Sequence, residues 1–206
     1  MEKKIIPLFC VLFICIIMIR TGTANAQGIV AFNPITITVD QPGTMFAVNI
    51  TVTNAPNMTQ FILQNITWNP NVLQLNSTDE VVEGPFLKAV DTTMFLCKEP
   101  NNTEGRLPEI TDITLHLKTT SGNGTLCTIW FFAKATGVSQ LSFSQDTYLL
   151  NVDQPIDLET EDGTVTVVPE FPASILLPLF LIITSAITLL ATTVRSRRRQ
   201  GQITIP

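Results

Sequence analysis

The sequence predicts an all-β fold: a sandwich of roughly nine strands, with a signal peptide before it and one transmembrane helix after it. Three observations carry the prediction. Between residues 27 and 168 apolar and polar residues alternate with period two, in short segments broken about every ten to fifteen residues by Gly, Pro and Asn. Helical periodicity is nearly absent from the same region. Charge-free apolar runs stand at both ends of the chain.

Residues 1–26 read as a secretory signal peptide, because Lys3 and Lys4 precede IIPLFCVLFICIIMI, and Ala24-Asn25-Ala26 supplies small residues for cleavage. The mature protein then starts near Gln27, and Cys10 and Cys15 leave with the leader. An uncleaved N-terminal anchor is the alternative. At the other end FPASILLPLFLIITSAITLLATTV carries no charge and runs straight into RSRRR. Residues 173–194 at about 1.5 Å each reach about 33 Å, enough for a hydrocarbon layer of about 30 Å. Arg195, Arg197, Arg198 and Arg199 put the tail, 195–206, in the cytoplasm by the positive-inside rule and the domain outside, at the cell surface.

The ectodomain, 27–168, suits one domain of useful core size. Outside the leader and the tail, sixteen Asp and Glu face five Lys and Arg, a charge near −11. That balance argues against nucleic acid and anionic lipid as partners. Cys97 and Cys127 are expected to bond in an oxidising compartment, stabilising the domain by roughly 3–4 kcal/mol; two separate buried thiols are the alternative. Asn-x-Ser/Thr sequons stand at Asn49, Asn57, Asn65, Asn76, Asn101 and Asn123. Occupied sequons face solvent, so they also mark strand orientation.

The strands follow in order. In ITITV, Ile35, Ile37 and Val39 share a face against Thr36 and Thr38. In FAVNITVT the inward set is Phe46, Val48, Ile50 and Val52, with Asn49 opposite. In 60–68, Asn65 and Thr67 share one face while Ile62, Ile66 and Trp68 share the other, so a glycan pointing outward turns Trp68 into the core. Asn69-Pro70 breaks that strand, and Val72, Leu73 and Leu75 return to the core from 71–75. A strand at 93–97 follows. In DITLHLK, Ile113, Leu115 and Leu117 read as the dry face against Asp112, Thr114, His116 and Lys118. Strands at 125–135, 138–150 and 163–168 complete the set.

The order of motifs, QPGTMFAVNITVTN, FILQNITWNPNVLQL, EGPF, LPEITDITLHLKTTSGNGTLCTIWFFAKATGVSQLSF and EDGTVTVV, resembles the cohesin-like β-sandwich family. The matching features are Pro42-Gly43 opening a strand, and Trp68-Asn69-Pro70 with Val72-Leu73 where the family carries a tyrosine-aspartate-proline corner. Gly124 with Leu126, Ile129 and Phe131, and Gly163 with Val165 and Val167, complete them. The resemblance covers residues 29–168. It implies a nine-stranded jelly roll related to cellulose-binding modules, which in this family is a receptor for dockerin modules. The cysteine pair and the six sequons are not typical of it. The family pattern turns Ile129 and Phe131 inward, which leaves Trp130 and Phe132 together on the opposite face as a candidate binding surface. His116, on the wet face of its strand, belongs to the sheet that the family uses for partners.

Of catalytic sets, only paired carboxylates of the glycosidase kind stay open, because the acids are many and their separation is not written in the sequence. His116 is the one histidine, so neither a zinc protease motif nor a Ser-His or Cys-His pair can be assembled from it. The GNG at 122–124 lacks the Gly-Lys-Ser/Thr ending of a phosphate loop, and the ETEDG run at 159–163 matches no calcium loop and reads as a solvated turn. We therefore expect no enzyme, no cofactor and no metal, but a surface-displayed binding module. Its partner is a surface protein, either dockerin-like or an envelope component. The alternatives are a polysaccharide-binding module and a structural envelope glycoprotein. Finally Pro169, Glu170 and Phe171, followed by Pro172, an apolar helix and an Arg cluster, resemble the C-terminal signal of archaeal surface proteins that archaeosortases cleave. A stiff linker, 169–172, before a retained helix is the other reading.

Overall fold

The structure, a computed structural model, describes residues 27–152, 154–169 and 173–200, with side chains in the last helix described for 178–191. The expected signal peptide, Glu170 and Phe171 of the expected sorting motif, and the last six residues of the expected tail lie outside the described residues.

Long apolar alternation makes long strands. β3 (Met45–Met58) and β9 (Thr120–Ala133) pair antiparallel, and they bury Val48, Ile50 and Val52 of one and Ile129, Phe131 and Ala133 of the other. Leu126 and Cys127 are buried in succession where the register slips between Ile50 and Thr51, because a bulge inserts one extra residue and resets the parity. β1 (Gly28–Asn33), β5 (Leu73–Gln74), β6 (Val81–Glu83) and β13 (Leu158–Glu161) extend this pair into a six-stranded sheet, ordered β13-β1-β3-β9-β5 with β6 also on β9. The acidic ETEDG run is thus mostly an exposed edge strand rather than a turn.

Facing it is a five-stranded sheet in the order β12-β11-β4-β8-β7, built from β4 (Gln60–Thr67), β7 (Thr93–Cys97), β8 (Arg106–Thr114), β11 (Tyr148–Asn151) and β12 (Gln154–Ile156). A three-stranded sheet joins β2 (Thr36–Val39), β10 (Gly137–Leu141) and β14 (Gly163–Val167) in the order β10-β14-β2. The segment 138–150, expected as one strand, therefore divides between two sheets. One contiguous apolar cluster takes side chains from both large sheets, with Phe32, Phe61, Phe131, Leu63 and Ile110 fully buried.

The Trp-Asn-Pro corner closes this core. Trp68 is buried and stands edge-on to Phe131 at 5.4 Å, and its Nε1–H donates to the Leu73 carbonyl at 3.2 Å. Asn69 makes the turn: its Oδ1 accepts from the Asn71 N–H at 3.0 Å, and its carbonyl accepts from Val72 and Leu73. Gly105, at φ +66°, places its carbonyl 2.8 Å from the Trp68 N–H, where a Cβ would collide with the Trp68 oxygen. A short helix, α1 (Pro85–Lys88), packs Phe86 over Gly124, where a Cβ would come within 2.3 Å of the ring.

Two parity assignments change. On β4 the buried residues are Phe61, Leu63 and Ile66, so Ile62 turns outward, and the three-residue step coincides with Asn65 at φ +50°. On β8 the same step separates Leu107 from Ile110, and it carries Asp112 and Thr114 into the core while Ile113 turns outward. Leu115 and Leu117, expected in the core, are exposed in the segment that follows.

The helix α2 (Ala173–Gln200) contains Pro178. No helix among the described residues is long and apolar enough to cross a membrane, and the described side chains of α2 span only residues 178–191.

Candidate functional site: the outer face of the five-stranded sheet

The inverted parity of β8 creates an apolar exterior. β7 is an edge strand with apolar residues on both faces: Phe95 and Cys97 pack on the core while Met94 and Leu96 stand outside. Register aligns the rest. Leu96 lies opposite Thr111, which lies opposite Ile62, which lies opposite Tyr148. In the next row Met94 faces Ile113, and Leu115 follows two residues on. Met94, Leu96, Leu115 and Tyr148 are between 42% and 54% exposed. Half-exposed side chains of this size, ranged across four strands, cost solvation free energy of roughly 25 cal/mol per Å² until something covers them.

Polar groups frame the patch. At one end Lys98 pairs with Glu109 at 2.9 Å. At the other, Asp91 Oδ1 sits 2.8 Å from His116 Nδ1, and its Oδ2 accepts the His116 backbone N–H at 2.8 Å. Burial alone would push the Asp91 carboxyl up, but the His116 ring and the N–H groups of His116 and Thr92 outweigh it and hold the carboxyl down at about 2. His116 is thus the clamp of a turn rather than part of a flat platform. The sequon at Asn65 lies beyond the opposite end, where Arg106 Nη1 donates to Asn65 Oδ1 at 3.1 Å.

Beneath the patch lies a buried carboxylate. Asp112 is 1% exposed, and neither oxygen has a hydrogen-bond partner. Desolvation pushes it up to about 6, with the Glu83 charge adding to the effect; the Ile113 N–H dipole and Lys88 offset it only in part. Glu83 itself is held by Lys88 Nζ at 2.9 Å and by the Thr93 hydroxyl.

The expected binding residues divide between the two large sheets. Trp130, 42% exposed, and the half-buried Phe132 lie on the outer face of the six-stranded sheet, whereas His116 belongs to the end of the other sheet. The expected bridge between Cys97 and Cys127 is also corrected, since both thiols are free. Cys97 stands on β7 and Cys127 on β9 of the opposite sheet, and the Cys97 Sγ–H donates to its neighbour's Lys98 carbonyl at 3.5 Å. Desolvation, with Glu99 adding to it, pushes the Cys97 thiol up to about 11, and full burial pushes Cys127 higher still. Neither forms a thiolate readily at neutral pH. Among the sequons, Asn57, Asn76 and Asn123 are exposed and Asn49, Asn65 and Asn101 are partly so.

No protein-family model matches the sequence, and no curated protein matches it. Solved structures do match. A non-cellulosomal cohesin from the archaeon Archaeoglobus fulgidus is 18% identical over 72% of this chain and 96% of its own, with a TM-score of 0.54. A cohesin of Clostridium acetobutylicum is 17% identical over 70% and 92%, at 0.55. The third ScaC cohesin of Acetivibrio cellulolyticus, solved in complex with a dockerin, is 16% identical over 69% and 99%, at 0.54. The fold is a cohesin-like β-sandwich. Sequence reasoning missed the exposed row of this cohesin-like domain. The signal available for it was TMFLC, an edge strand apolar on both faces.

Proposed function

We propose that the chain is a non-enzymatic protein-recognition module at the cell surface, which takes a dockerin-like partner on the outer face of the five-stranded sheet. The observation that carries this reading is the row from Leu96 to Tyr148 with Met94, Ile113 and Leu115, an uncovered apolar surface on a cohesin-like sandwich. Neighbours of this fold include cohesins solved with dockerins. A partner would desolvate the apolar centre, and Lys98, Glu109 and His116 would form its polar rim.

The reading places residues 1–26 as a removed leader and residues 173–194 as the membrane anchor, with the basic tail inside. What supports the anchor is the row Leu179, Phe180, Ile182 and Ile187 exposed along α2, with hydroxyls folded onto its own backbone: Thr184 donates to the Phe180 carbonyl at 2.9 Å and Ser185 to Leu181 at 2.6 Å. An apolar exterior with its polar atoms satisfied internally suits lipid. Pro169-Glu170-Phe171 then serves as a cleavage signal or as a stiff linker between domain and membrane.

Trp130 favours a second reading, a polysaccharide on the six-stranded sheet, and a structural envelope glycoprotein is a third. Immobilised fragment 27–168 separates the three when challenged with the surface-protein fraction and with wall polysaccharide. Retention of a protein that Leu96→Glu abolishes supports the first. Retention of polysaccharide alone, lost with Trp130→Ala, sinks it, and retention of neither leaves the structural role.

A further inference from the structure

The outer face of the six-stranded sheet carries its own exposed aromatic, and a sequon stands beside it. Asn49 pairs with Thr128, and Ala47 pairs with Trp130, so Asn49 and Trp130 are diagonal neighbours across β3 and β9. Val48 and Ile50 on one strand and Ile129 and Phe131 on the other are fully buried, which puts Asn49 and Trp130 on the same outer face. Diagonal pairs of this kind lie about 7–8 Å apart at Cα. Ala47, directly opposite the indole, contributes only a methyl group, so the floor between the two is low. The Thr128 hydroxyl donates to Asn49 Oδ1 at 2.7 Å, which holds the carboxamide by its oxygen and leaves Nδ2, the atom that a glycosyl bond takes. At Asn76, by contrast, Nδ2 donates to Glu80 Oε1 at 2.9 Å.

We infer that the first pyranose of an N-linked glycan on Asn49 stacks on Trp130 and covers the apolar exterior of this sheet, leaving the five-stranded sheet as the face open to partners. The modification joins Asn49 Nδ2 to C1 of the sugar. It breaks the C1–O bond of a lipid-linked glycosyl phosphate, releases the lipid phosphate and gives up one Nδ2 proton. A pyranose presents a face of C–H groups to the electron-rich indole, and a tether two residues away along the register removes most of the entropy cost of bringing them together. Thr51 lies on the same side of β3 as Asn49, so the whole sequon reads outward. The inference rests on the extracellular placement of the domain but not on the dockerin-like partner.

The test uses the full chain from a host that glycosylates Asn-x-Thr, with iodide quenching of tryptophan emission as the readout. The chain has two tryptophans, and Trp68 is buried, so quenching reports on Trp130. The glycosylated protein is expected to quench about twofold less than Asn49→Gln, with Asn76→Gln unchanged. Thr51→Val removes the sequon while keeping Asn49 and a β-branched strand residue, and it gives the same answer if Asn49→Gln folds poorly. Thr51→Ser keeps the sequon and should behave as the parent does. Trimming the glycan to its first sugar should leave the protection intact. Equal quenching with and without the Asn49 glycan overturns the inference, and so does peptide mapping that finds Asn49 unmodified in the surface-displayed protein.

Discussion

Among the described residues, Asp112 is the one whose chemistry most opposes the fold, because its carboxylate is buried without a hydrogen-bond partner. Its folded pKa is raised from 3.8 to about 6, so the folded state holds the proton more tightly than the unfolded chain does. The stabilising contribution is therefore full below pH 3.8 and is lost as pH rises through about 6, a change of roughly 2–3 kcal/mol. Urea titrations of the parent between pH 4 and 7 should show that slope, and Asp112→Asn should flatten it. Asp91 acts in the opposite sense: its carboxyl is held down, so its contribution is present above pH 3.8 and lost as pH falls towards 2. The thiols give a second check. In native protein Cys97 and Cys127 should resist alkylation, while denaturation without any reductant should make both reactive; a peptide linking Cys97 to Cys127 would contradict the structure. Sequence reading went wrong at these residues for one physical reason. It assigned Asp112 outward and the leucines inward by polarity, but the parity of β8 is set by Ile110, buried after the three-residue step from Leu107, and strict alternation from there carries Asp112 and Thr114 inward.

At the scale of elements, the Trp68 corner was legible because several constraints coincide in few residues. Alternation, a Pro that cannot join a ladder and the sequon at Asn65 all turn the indole inward, and its ring indeed packs on Phe131. The route was partly faulty, since Ile62 does not share that face. Trp68→Ala should cost about 3–5 kcal/mol in chemical denaturation, the usual range for a buried aromatic. Gly124→Ala forces a methyl group against the Phe86 ring and should loosen α1, seen as faster amide exchange at Leu87 to Val90 and a loss of about 1–3 kcal/mol. Gly124 was singled out only by family pattern; the seat it provides for Phe86 depends on a helix that four residues of sequence do not announce. The division of 138–150 between two sheets was likewise invisible, because alternation continues through a change of sheet.

For the whole molecule, the sandwich class and the inner face of β3 were readable from period-two alternation and the inward Ile129 and Phe131 of β9 from the family pattern, whereas the open face was not. Burial pairs residues from strands distant in sequence, and Leu96, Thr111, Ile62 and Tyr148 become one row only through three separate registers. In the proposed function this row, and not the Trp130 face, binds the partner. The most direct measurement is the dissociation constant of a purified dockerin-like partner for the parent, for Leu96→Glu and for Trp130→Ala. A charge at the centre of an apolar interface should weaken binding by about tenfold or more, while Trp130→Ala should leave it within about twofold. Affinity unchanged by Leu96→Glu but lost with Trp130→Ala would place the partner on the six-stranded sheet instead.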